Sequence, residues 1–201
     1  LKKEIKHNIG DIRNQSSLQK SIEKSNPDFI IHFAAQALVR DSYDNPLETM
    51  ETNIMGTVNI LESIRNLDST KVSVIMTSDK SYENFLNTKP HKETDPMGGF
   101  DPYSASKGAS ELVVSSYRNS FFLKKPSIQK VSTIRAGNVL GGGDWGKNRL
   151  LPDSIRAISS KKNILIRNPN SIRPWQFVLE PLSGILWLIT KMNSHPKKFN
   201  Q

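Results

Sequence analysis

Three short runs rich in β-branched and apolar residues recur along this chain: Asp28–Phe33 (DFIIHF), Lys71–Thr77 (KVSVIMT) and Lys130–Arg135 (KVSTIR). A run of this length and composition reads as a strand buried on both faces. The segments between them have helical spacing. Residues 16–24 carry Leu18 and Ile22 four apart, and residues 47–65 carry Leu47, Met50, Ile54, Leu61 and Ile64 on one face after an Asn45-Pro46 start signal. Residues 101–122 open with Asp101 as N-cap and Pro102 at the first helical position. Strands alternating with helices predict an α/β fold, a doubly wound parallel sheet covered on both faces. In such sheets ligands bind beyond the carboxyl ends of the strands.

After Arg135 the pattern changes. Gly137, Gly141, Gly142, Gly143 and Gly146 predict a long loop, followed by a helix over 151–160, a short strand over 164–167, an extended stretch over 174–179 and a helix over 181–192. A boundary falls near residue 140, with no internal repeat on either side. The chain has no Cys, which excludes disulfides, thiolate metal sites and Cys nucleophiles. Its four His residues show no paired spacing, so no metal site is expected. The formal charge of +9 is spread along the chain, and no basic run exceeds two residues. A nucleic-acid surface needs that charge gathered on one face, so none is expected; a solvated surface or an anionic small molecule fits better. No apolar run reaches membrane-spanning length, and a cytoplasmic protein is expected.

Four features bear on chemistry. Tyr103 and Lys107 stand four apart on a helix and share a face. A phenol ionises near pH 10, and a neighbouring ammonium lowers that value, so the pair could take a proton from an alcohol. Thr77-Ser78-Asp79-Lys80 ends a buried strand, where a hydroxyl could bond a substrate alcohol, or could simply make a turn. Ala34-Ala35-Gln36 follows the first strand, with side chains small enough for close approach of a ligand or for plain tight packing. Asn53 lies mid-helix with Gly56 after it; both cost helix stability, which points to a role unless Asn53 is merely solvated.

In this order the four features resemble the extended branch of the short-chain dehydrogenase/reductase family, which acts on nucleotide sugars. The strings from Thr77 to Asn84, Asp95 to Ser104, Arg135 to Trp145 and Arg167 to Gln176 resemble its 4,6-dehydratases, those acting on CDP-sugars. The resemblance implies a Rossmann-like fold, NAD as a tightly held cofactor and a CDP-sugar as substrate. It implies that Asp11 and Ile12 contact the cofactor adenine, that Ala34, Ala35 and Gln36 line the cofactor, and that Asn53 supports the site. Ser78, Tyr103 and Lys107 match the catalytic trio, which also contacts cofactor through Tyr103 and Lys107. By position, Asp79 is the candidate acid and Lys80 the candidate base of a dehydration. Asn138, Arg149 and Arg173 are candidates to hold the substrate pyrophosphate, with Trp145 and Trp175 packing on base or sugar or in a core. Phe177 and Ser81 stand where the pattern leads one to expect His and Cys.

The glycine-rich strand-turn-helix that seats a dinucleotide does not precede Asp11, and the chain opens with Leu1. We therefore expect residues 1–140 to form an N-terminally incomplete cofactor-binding domain and residues 141–201 part of a nucleotide-sugar-binding domain. A homodimer through helices 47–65 and 101–122 is expected of the complete protein. Two rival readings stay open. A 4-epimerase of the same family would use Tyr103 and Lys107 without the pair at 79 and 80, and a non-catalytic remnant would use none of them.

Overall fold

A computed structural model describes residues 4–67, 69, 71–83, 90–124, 129–195 and 199. The three β-branched runs form the expected strands: β1 (Phe29–His32), β2 (Val72–Met76) and β3 (Lys130–Ile134). They pair in parallel in the order β1-β2-β3, with Phe29 opposite Val72 and Val72 opposite Lys130. Parallel neighbours need crossovers, and helices supply them.

α1 (Gln15–Ser25) precedes β1, capped by Asn14, whose side chain accepts from Ser17 N. Between β1 and β2 run α2 (Val39–Asp44), α3 (Pro46–Met50), a π-helical turn at Glu51–Met55 and α4 (Gly56–Arg65). The helix expected over 47–65 is thus present but widened in its middle, at Asn53. α5 (Pro102–Tyr117) continues into a second π-helical turn, Arg118–Phe122, and Asp101 caps it as expected.

Two apolar layers sandwich β2. On one face, Ile75 packs with Ile22 of α1, Ile60, Leu61 and Ile64 of α4, and Val114 and Phe122 from the α5 side. On the other face, Val72 and Val74 meet Ile185, Ile189 and Met192 of α7 (Leu179–Ser194). The period-2 alternation of β2 sends successive side chains to these two layers, so the sheet is covered from both sides. Burial of β2 on both faces accounts for a run that is apolar apart from the buried Ser73.

Past Arg135, α6 (Leu150–Ser159) and α7 match expectation. Two departures occur. A short β4 (Asn138–Leu140) lies inside the glycine-rich stretch and pairs in parallel with β5 (Trp175–Phe177). The strand expected over 164–167 is not formed: Ile164, Leu165 and Ile166 are exposed and lie in no ladder. High β propensity makes no strand where no edge is offered for pairing. No helix among the described residues is long and apolar enough to cross a membrane.

Candidate active site

The first turn of α5 brings Tyr103 to the carboxyl end of β2. Asp101 accepts from Ser104 N at 2.9 Å and Ser104 Oγ at 2.6 Å, and Ser42 Oγ accepts from Tyr103 N at 3.2 Å. Tyr103 and Lys107 are both buried, 9% and 6% exposed. The Ser78 hydroxyl lies beside the Tyr103 phenol, near enough to lower its pKa. Ser78 Oγ also donates to Asp79 Oδ1 at 3.1 Å and accepts from Lys80 N at 3.2 Å. Ser78, Asp79 and Tyr103 therefore converge as expected, with Lys80 on the same 3-10 turn, Asp79–Ser81. No ion pair joins Lys80 to Asp79.

The electrostatics correct one expectation. The Tyr103 phenol is held above its ordinary value, not below it, chiefly by burial. The Ser78 hydroxyl and the Arg149 guanidinium pull it down, while Asp79 and Asp101 push it up. Lys107 is not among these influences; its Nζ donates to Met76 O at 3.3 Å. Burial lowers Lys107 itself to about 8, and the Glu111 carboxylate opposes that shift. Spacing on a helix placed the two side chains on one face; it could not weigh desolvation against charge.

The cofactor candidates Asp11, Ile12, Ala34, Ala35 and Gln36 fall on two loops, one tied to this helix through Asn53 and the other to α4. Asn53 Oδ1 accepts from Gln36 N at 2.8 Å, and Asn53 Nδ2 donates to Gln36 O at 3.0 Å and to Ser106 Oγ at 2.8 Å. Ser106 Oγ in turn donates to Tyr103 O at 2.7 Å. Asn53 thus clamps the loop after β1 to the catalytic helix, which accounts for a buried Asn in mid-helix. Gln36 has its side chain engaged internally, by Thr49 Oγ1 at 2.8 Å and Leu38 O at 3.1 Å, and its backbone N and O by Asn53. Ala34 is exposed and Ala35 half-buried at the strand end.

Asp11 and Ile12 lie on a cleft of about 420 Å³ that Asn8, Gly10, Ser17 and Lys20 also line. Arg13 holds the Asp11 carboxylate through a fork, Nε to Oδ1 at 3.1 Å and Nη2 to Oδ2 at 2.6 Å, and keeps it below its ordinary range. Asn59 Nδ2 donates to Ile12 O at 2.8 Å, and the Ile12 side chain lies where a Cβ on Gly56 would fall, 2.4 Å from Cδ1. The mid-helix glycine is thereby explained: it lets the segment at 11–13 lie against α4.

Among the pyrophosphate candidates, Arg149 is near enough to Tyr103 to affect it, and pairs with Asp144 at 2.9 Å. Arg173 is exposed, donates to Ile172 O at 2.8 Å, and has no carboxylate partner among the described residues. No hydrogen bond joins Asn138 or Arg173 to Arg149. Trp145 and Trp175 are exposed, and so is Phe177. Glu111, Arg135, Ser106, Asn59 and Ser42 escaped the sequence reading as site residues. Glu111 was findable: it continues the Tyr103, Lys107 spacing by one more turn.

The profile of the GDP-mannose 4,6 dehydratase family matches residues 1–200. The chain is 47% identical over 200 residues to CDP-glucose 4,6-dehydratase of Salmonella typhimurium, covering 98% of this chain and 56% of that protein. It is 24% identical over 169 residues to UDP-glucose 4-epimerase of Mycoplasma pneumoniae, covering 83% and 50%. Among solved structures, a double mutant of the dTDP-glucose 4,6-dehydratase DesIV from Streptomyces venezuelae, with NAD and DAU bound, superposes with a TM-score of 0.79 at 23% identity, over 92% of this chain and 54% of that one. The UDP-glucose 4-epimerase of Thermotoga maritima, with UDP-glucose, also gives 0.79, at 19% identity over 90% and 58%. At these identities the superpositions establish the Rossmann-like fold. The chain spans about half the length of the relatives it matches.

Proposed function

The chain belongs to the GDP-mannose 4,6 dehydratase family, and from that premise we propose that its protein converts CDP-glucose to CDP-4-keto-6-deoxyglucose with NAD. The observation that carries this reading is the Asp79–Lys80 turn set against Ser78 and the Tyr103 phenol. Oxidation at carbon 4 needs only Ser78, Tyr103 and Lys107; dehydration also needs an acid and a base, and this turn supplies both.

The residues fit NAD. Lys107 is a buried ammonium with three donors and one partner among the described residues, Met76 O, so it suits a ligand rich in hydroxyl acceptors. Asp11, Ile12, Ala34, Ala35, Gln36, Asn53, Tyr103 and Lys107 would hold the cofactor. When bound, NAD would take hydride from sugar carbon 4 and return it to carbon 6. Tyr103 accepts the carbon-4 hydroxyl proton as the phenolate, with Ser78 orienting that hydroxyl. Burial disfavours the phenolate in the protein alone, and the positive nicotinamide ring would favour it once the cofactor is bound. The resulting ketone acidifies the carbon-5 hydrogen, which Lys80 removes. Asp79 protonates the carbon-6 hydroxyl, which leaves as water, and a proton returns to carbon 5 as hydride reaches carbon 6. Asn138, Arg149 and Arg173 hold the CDP pyrophosphate.

On this reading residues 1–140 serve the cofactor and 141–201 the nucleotide sugar. The exposed Tyr43, Leu47 and Leu112 on α2, α3 and α5 suit a second copy of the chain, and the protein works in the cytoplasm, supplying a sugar for lipopolysaccharide. A 4-epimerase is the second reading, because the epimerase fold superposes as well as the dehydratase fold.

The deciding experiment incubates the full protein with CDP-glucose and NAD in deuterated water, following reduced cofactor by absorbance and deuterium by mass spectrometry. The unmutated protein should release a 6-deoxy-4-keto product. Tyr103→Phe should lower carbon-4 oxidation by roughly 10²- to 10⁴-fold. Lys80→Met should keep that oxidation and lose carbon-5 exchange. A carbon-4 epimer that retains its carbon-6 hydroxyl would decide for the epimerase.

A further inference from the structure

Glu111 lies one turn beyond Lys107 on the same face of α5, and its side chain is 6% exposed. Its carboxylate is fully occupied. Oε1 accepts from Thr77 Oγ1 and from Arg135 Nε at 2.9 Å; Oε2 accepts from Thr133 Oγ1 at 2.8 Å and Arg135 Nη2 at 2.9 Å. A buried carboxylate is tolerable only with a partner and hydrogen bonds of this kind. The free end of the Arg135 fork, Nη1, reaches the other way. It donates to the Tyr82 hydroxyl at 3.0 Å and to Glu93 O at 3.0 Å, and the guanidinium sits 4.9 Å from the Tyr82 ring centroid.

Thr77 and Tyr82 bracket the stretch that holds Ser78, Asp79 and Lys80. Both are therefore tied to one ion pair, and that pair is rooted in the catalytic helix. Tyr103 has other supports: the Asp101 cap, Ser42, and Ser106 with Asn53. The turn at 79–81 is otherwise held by Asp79 N to Ala136 O at 3.1 Å, Gly98 N to Ser81 O at 2.9 Å and Ser81 N to Ser78 O at 3.0 Å.

We propose that the Glu111–Arg135 pair is a positioning clamp for the acid/base turn: through Thr77 and Tyr82 it sets Asp79 and Lys80 against Tyr103, and so governs the proton steps at sugar carbons 5 and 6 more than oxidation at carbon 4. This rests on the dehydratase reading above. Glu111 and Arg135 are positioning residues; neither bonds Tyr103, Lys107, Asp79 or Lys80. Small displacements of a catalytic group are expensive, about 10²-fold for about 1 Å, and the clamp ties both ends of the stretch that carries the acid and the base.

Two variants test it in the full protein with CDP-glucose in deuterated water. Arg135→Lys keeps a cation for Glu111 but loses the second fork. Tyr82→Phe loses only the hydroxyl and keeps its stack on His91, with ring centroids 4.5 Å apart. In single turnovers, both should reduce cofactor at the unmutated rate. Carbon-5 exchange should slow, by up to about 10²-fold in Arg135→Lys and less in Tyr82→Phe. Thermal unfolding verifies that each variant is folded, and Tyr82→Phe decides alone if Arg135→Lys is not. Equal losses in both steps, or unchanged exchange in a folded variant, overturn the clamp. Failure of the dehydratase reading shows separately, in unmutated protein that reduces cofactor without exchanging carbon 5.

Discussion

His32 ends β1 at 6% exposure, and burial, with a smaller push from the Lys107 ammonium, lowers it from 6.5 to about 4. The unfolded chain therefore binds a proton at pH values where the folded chain does not. The sign follows: this stability is fully present above about pH 6.5 and is lost as pH falls toward and through about 4. A shift of this size corresponds to about 3 kcal/mol. His32→Asn should flatten the acid side of a plot of unfolding free energy against pH between those values; an unchanged slope would mean that His32 is protonated in the folded protein. Neighbouring residues show how far such effects elude sequence. That Tyr103 and Lys107 share one face of α5 was legible from type and spacing. That Tyr103 is held high rather than low was not, because desolvation depends on what covers the ring.

At the scale of elements, helix starts and buried strands were legible because their signals are local. Asp101-Pro102 caps α5 and the β-branched runs pair as expected. β4 was hidden because three residues among glycines show no alternation, and residues 164–167 misled because propensity carries no information about a partner strand. The tie from Gln36 through Asn53 to Ser106 spans three elements, and no local pattern encodes it. Glycines inside helices offer a sharper test. A Cβ on Gly108 of α5 would lie 2.7 Å from Gly98 O and 3.2 Å from Ser81 O, two backbone carbonyls packed against the helix. On Gly184 of α7 it would meet nothing within 4 Å. Helix propensity alone favours Ala at both positions by about 1 kcal/mol. Gly184→Ala should thus stabilise the protein by about that amount, whereas Gly108→Ala should cost about 1–3 kcal/mol through overpacking. Urea unfolding of both variants measures the difference, and equal shifts would show that α5 does not need its close approach.

For the molecule as a whole, the two faces of the sheet are unequal to its edges. β2 is covered on both sides, but among the described residues β1 pairs with β2 alone, and its other edge carries unmatched backbone donors and acceptors. Phe29 is 44% exposed, Ile31 37% and Phe33 48%. Phe29 and Ile31, with Leu186 and Ile189 of α7, line an apolar trough of about 470 Å³ beside that edge. The Lys and Arg side chains that make the chain basic do not line this trough, so charge does not guard it. An unpaired, apolar strand edge is a template for another chain. The sequence could not reveal which strand carries this edge, because DFIIHF reads as buried and the strand order decides which buried strand ends at an edge. The 201-residue polypeptide produced alone should therefore self-associate as its concentration rises. Phe29→Lys places a charge at the start of β1, where no core contact is lost, and should shift the population toward monomer. Sedimentation velocity over a range of concentrations measures both. A polypeptide that stays monomeric throughout, or a Phe29→Lys variant that associates as strongly as its parent, would show that this edge is not where the chains meet.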